Sequence, residues 1–100
     1  MMDFGKMKDM MNLQRRLKKI QKEIKKQTYP YESPAGTIRV VVNGEGVVQK
    51  VEVLKPEFLQ ESTKKVEKEL TRTIQEAQKH ALKETERKMQ EMLGELDLPL

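Results

Sequence analysis

Apolar residues recur through the first part of the chain at Met10, Leu13, Leu17, Ile20 and Ile24, spaced by 3, 4, 3 and 4 positions. That spacing predicts a helix over about residues 6–27 with one narrow heptad seam. Met10, Leu17 and Ile24 occupy one core position of the seam, and Leu13 and Ile20 the other. The period then changes. Tyr29-Pro30-Tyr31-Glu32-Ser33-Pro34 holds two prolines, which forbid a helix interior, so residues 28–33 read as extended or edge-strand chain. After Ala35-Gly36, the run TIRVVVNGEGVVQKVEVL sets two β-branched stretches around Asn43-Gly44-Glu45-Gly46. This predicts a hairpin of strands over about 37–43 and 47–54, its turn centred on Asn43-Gly44 or on Gly44-Glu45. Either register places Ile38, Val40 and Val42 on one face with Val47, Val51 and Val53, and Arg39, Lys50 and Glu52 on the other.

Pro56 opens a short helical turn over 56–60, after which Ser62 or Thr63 can cap a long helix over about 62–94 that stops near Gly94. Its apolar positions Val66, Leu70, Ile74, Ala77, Ala81, Met89, Met92 and Leu96 are separated mostly by 4 residues. Leu70, Ala81 and Met92 are 11 apart, a period that keeps the stripe straight or slightly right-handed. The tail Leu96-Asp97-Leu98-Pro99-Leu100 is short and apolar. A helix of this length reaches about 50 Å, whereas strands of about 7 residues reach only about 25 Å. The helices therefore overhang the sheet, and an overhanging apolar stripe beside a bare sheet edge predicts a homodimer.

Composition supports that expectation. With 100 residues, 36% hydrophobic and 36% charged, the chain is one small domain, 1–100, with little capacity for a thick core of its own. It has no Cys, which excludes disulfides, Cys-ligated zinc and thiol chemistry and fits a reducing cytoplasm. No apolar run suggests a signal peptide or a membrane span, so a cytoplasmic protein is expected.

Catalytic chemistry finds little support. His80 has Glu76 and Glu84 four residues to either side, a spacing that could ligate a metal but that any solvated helix also shows. Ser33 and Ser62 have turn and cap roles available, and the glycines lack a phosphate-cradling pattern. No enzyme activity, metal, cofactor or small-molecule substrate is expected. The seven Met residues read first as adaptable core filling at the helix ends.

Charge is the informative feature. Residues 1–28 carry 9 Lys or Arg against 3 Asp or Glu, whereas residues 29–100 carry 11 against 13. The outward heptad positions of RRLKKIQKEIKK are Arg15, Lys18, Lys19, Lys22, Lys25 and Lys26, with Arg16 beside them and Glu23 the only acid, on the flank. Like charges at i, i+3 and i, i+4 repel, and the second helix avoids this by mixing signs through Glu67, Lys68, Glu69 and Arg72. A single-sign row of three turns fits a polyanion whose counterions it displaces. Two readings compete with nucleic acid: a solvated or intersubunit ion-paired face, and an anionic membrane surface, the latter poorly served by a stripe without bulky aromatics.

The run Ser33-Pro34-Ala35-Gly36-Thr37-Ile38-Arg39-Val40-Val41-Val42-Asn43-Gly44, followed by Val51-Glu52-Val53 and Pro56-Glu57-Phe58-Leu59, resembles the YbaB/EbfC family of small bacterial nucleoid-associated DNA-binding proteins. The likeness covers nearly the whole chain, its hairpin being the distinctive part. It implies an α+β subunit of order α-β-β-β-α, with a small antiparallel sheet flanked by two long helices, joined into a two-fold tweezer-like homodimer. Residues 29–33 thereby become a third strand. It also implies DNA binding without catalysis and a role in nucleoid organisation and gene expression. Two departures stand out: Thr73-Ile74-Gln75-Glu76-Ala77 replaces an Ala- and Asn-Asp-containing segment, and Lys55 stands where Asp is common. The family carries no sharp DNA-contact motif, so Arg15, Arg16, Lys18, Lys19, Lys22, Lys25 and Lys26 are nucleic-acid candidates on charge pattern alone. The alternative from another class is a chaperone-like or scaffold protein whose helices clasp other polypeptides through its Met-rich helix ends.

Overall fold

In the computed structural model, which describes residues 4–95, helix α1 spans Phe4–Lys26 and strands β1, β2 and β3 span Thr28–Glu32, Ile38–Asn43 and Val48–Val53. A 3-10 turn at Pro56–Gln60 precedes helix α2, Thr63–Glu95. The tail Leu96–Leu100, read above as a short apolar segment, lies outside the described residues.

The three strands form one antiparallel sheet in the order β1-β2-β3. Ser33 N donates to Ile38 O, so by antiparallel alternation Tyr31 and Tyr29 also turn their backbone groups toward β2. Pro30 then faces the free edge, where its missing N–H costs the sheet no bond and discourages a further strand. Ser33 also closes the β1–β2 connection, its Oγ accepting from Thr37 N at 3.0 Å and Ile38 N at 3.2 Å. That hydroxyl works as a turn clamp.

Ile38, Val40 and Val42 are fully buried beneath α2, with Phe58, Ala77 and Ala81 completing the core. Each such aliphatic side chain contributes about 1.5–3 kcal/mol by leaving water. Ala77 and Ala81 let α2 approach the strands closely, while Val66, Leu70 and Ile74 pack at the rim. At the start of α2 the Ser62 hydroxyl accepts from Lys65 N at 3.4 Å, a cap in the position the sequence suggested. Its other end runs to Glu95, carrying the helix through Gly94.

The Asn43–Gly46 loop joins both helices to the sheet. Gly46 N donates to Asn43 O at 3.0 Å, so the turn centres on Gly44-Glu45, and Gly46, at φ 86°, supplies the left-handed residue that follows. Asn43 Oδ1 accepts from Glu45 N and Val47 N, each at 3.0 Å. Gly44 N donates to Gln27 O at 3.0 Å, and a Cβ on Gly44 would stand 2.2 Å from the Ile24 carbonyl oxygen. Only glycine lets α1 dock so near the hairpin. From α2, Thr85 Oγ1 donates to Gly44 O at 2.9 Å and Gln78 Nε2 to Gly46 O at 3.0 Å.

Two sequence expectations need correction, and a third feature follows the expected overhang. The hairpin register shifts between Val41 and Val42, so Val42 pairs with Val48 and not with a residue in step with Val47. This bulge leaves Val47 51% exposed and turns Val48 toward the core instead. The α1 seam is covered only in part, from buried Ile24 through half-buried Ile20, Leu17 and Leu13 to Met10, which is 63% exposed. Four of the methionines do not fill a core within the subunit either, Met7, Met10, Met11 and Met89 being exposed, whereas Met92 is half-buried. The reason is shape, since the molecule extends 71 Å along one axis and 18 Å along the others, leaving the ends of α1 and α2 beyond the sheet's reach.

Candidate nucleic-acid interface

The row on α1 follows from how that helix is held. Burial of Ile24 and half-burial of Leu17 and Ile20 fix which side faces the rest of the chain. Arg15, Arg16, Lys18, Lys19, Lys22, Lys25 and Lys26 then all lie exposed. Among the described residues none of the seven has an ion-pair partner. Lys25 and Lys26 occupy the last turn, where positive charge is also favoured by the exposed carbonyls of the helix end.

Four acids of α2 and the sheet are engaged away from this row. Arg87 of α2 holds Glu84 at 2.9 Å and Glu91 at 3.0 Å on its own helix. The hydrogen bond from Arg87, followed by its charge, keeps the Glu84 carboxyl below the ordinary range, and the same pairing raises the Arg87 guanidinium. On the outer face of the sheet, Arg39 bonds Glu32 at 2.7 Å and approaches Glu52 at 4.0 Å, while Lys50 lies 3.6 Å from Glu52. The exposed charges of the sheet are therefore paired within it.

His80 lies against Tyr29 and Tyr31, with ring centroids 6.4 Å and 6.1 Å away. Among the described residues no group of three His, Cys, Asp or Glu side chains could hold a metal ion. Sequence reasoning missed this aromatic cluster because it joins β1 to the middle of α2, a pairing no local pattern announces. No described helix is long and apolar enough to cross a membrane.

Comparison with known proteins follows the same lines. A crystal structure of an uncharacterized protein from Helicobacter pylori, HP0035, shares the fold with TM-score 0.62 at 13% identity, over 83% of this chain and 96% of that one. No curated protein matches the chain. A family model covering residues 1–96 matches along the α-β-β-β-α order that carries the basic helix, and the chain belongs to the YbaB/EbfC DNA-binding family.

Proposed function

We propose that this chain is a nucleoid-associated protein of the bacterial cytoplasm that binds duplex DNA as a homodimer. Phosphate contacts come from Arg15, Arg16, Lys18, Lys19, Lys22, Lys25 and Lys26. The observation that carries the reading is that all seven cations, on one helix of a DNA-binding family member, are exposed and, among the described residues, unpaired. Such contacts position a protein on the backbone without reading bases, so sequence specificity is low and the influence on nucleoid organisation and gene expression is broad. No catalytic step is part of this role.

Dimerisation rests on a separate observation. Helix α2 packs on β1 and β2 and leaves β3 largely uncovered, so Val51 and Val53, opposite Val40 and Ile38 in the register, remain 42% and 39% exposed. Leu82, on the α2 flank nearest Gly46, is 52% exposed. A second copy seated on this apolar flank covers it and duplicates the basic arm, in a tweezer-like arrangement. The test is a gel-shift series on duplexes of varied sequence between about 50 and 200 mM salt, where counterion release demands a steep loss of affinity. Sedimentation on the same samples reports the dimer. Binding indifferent to salt, or absent at low salt, refutes the reading.

A further inference from the structure

Both tyrosines of this chain stand on β1, at Tyr29 and Tyr31, and both turn to its single histidine. Paired with Val42 and Val40, they share the face of the sheet that α2 covers. Tyr29 meets the His80 ring edge-on at 88° and Tyr31 meets it tilted at 43°. Beside them Tyr31, Glu76, Lys79, His80 and Lys83 line a cleft of about 290 Å³. Lys79 and Lys83 are exposed and, among the described residues, unpaired. Glu84, the other acid flanking His80, is held by Arg87. The cleft thus combines an aromatic wall, two free ammonium groups and one carboxylate.

We infer that this cleft binds an unpaired nucleotide of a single-stranded nucleic acid. The base stacks against Tyr31 and His80, its N–H donors meet the Glu76 carboxylate, and its flanking phosphates lie with Lys79 and Lys83. A planar ring, hydrogen-bond donors on its edge and neighbouring negative charge are what these groups recognise together. Within a duplex, bases keep their faces stacked and their pairing edges occupied, so only an unpaired nucleotide offers all three. The carboxylate and Lys83 lie almost two turns apart along α2 and give the cleft a direction. The inference goes beyond the duplex reading and stands without it.

The experiment is a fluorescence titration of the full chain against a single-stranded oligonucleotide carrying 2-aminopurine, with the matching duplex as second arm. Quenching on the single strand is expected for the unaltered protein. Tyr31→Leu, which keeps apolar packing but removes the ring, weakens single-strand affinity about tenfold and leaves duplex affinity within about twofold. Should that variant lose its native circular dichroism, Lys79→Gln with Lys83→Gln, both exposed, carries the same expectation for the single strand. An unaltered protein that binds the duplex but does not quench the single strand overturns this inference and spares the α1 reading. Equal losses on both substrates, or no loss on either, overturn it as well.

Discussion

The outer face of the sheet and the outer face of α1 use the same side chains to opposite ends. On the sheet, Arg39 and Lys50 stand among Glu32 and Glu52, so every described cation there has an acid within 4.0 Å. On α1, seven cations stand with no acid paired to them among the described residues. A sheet face brings neighbouring strands side by side, and alternating signs across them lower the energy locally. A helix row has only its own turns, and here those turns repeat one sign. Charge satisfied within the fold is structure; charge left unsatisfied is available to a partner.

The comparison breaks most visibly if the row is reversed. Lys18→Glu, Lys22→Glu and Lys25→Glu together are expected to lower duplex affinity by about a hundredfold or more at ~100 mM salt, because each removes a phosphate contact and adds repulsion. Lys50→Glu on the sheet face is expected to change that affinity little, and a comparable loss there would dissolve the distinction. If instead the chain clasps polypeptides, suppression of client aggregation survives the triple reversal while the dimer stays intact.

The next effect concerns how the arm is fixed. Gly44→Ala drives a methyl group into the Ile24 carbonyl, so α1 must shift, and a loss of about 2–4 kcal/mol in chemical denaturation is expected. Thr85→Val keeps the shape but leaves the Gly44 carbonyl without its donor, at a cost of about 1–2 kcal/mol. Both should weaken the arm's attachment more than they disturb the sheet. Hydrogen exchange that rises at Ile24 to Gln27 before it rises in β2 would sharpen that point.

The smallest effect is one of pH. The Glu84 carboxyl lies below its ordinary value, so its pairing with Arg87 stabilises the fold above the ordinary carboxylate range and is lost as pH falls through the lowered value. Glu84→Gln should therefore lower the melting temperature slightly at about pH 7 and leave it unchanged well below about pH 4. A difference that persists in acid would mean the side chain acts through packing and not through charge.

Much of the fold was legible from period and punctuation. The seam from Leu13 to Ile24, the prolines at 30 and 34, the hairpin around Asn43 to Gly46 and the cap at Ser62 each follow from local chemistry and recur in the structure. Hairpin detail was not legible. A bulge substitutes Val48 for Val47, and alternation alone cannot register one extra residue. Thr73 and Thr85 were also hidden, being polar in composition yet buried, with their hydroxyls spent on the Glu69 and Gly44 carbonyls. Met7, Met10, Met11 and Met89 misled in the other direction, since apolar character says nothing about whether a neighbour lies within reach.

What the sequence by itself determined is the order of elements and the single sign of the α1 row, because helical and strand periods and charge spacing are properties of neighbours along the chain. Only the tertiary structure decided that Thr85 bonds the Gly44 carbonyl, that both tyrosines meet His80, and that β3 keeps an apolar flank uncovered. Those depend on distances between segments far apart in sequence, which no local period encodes.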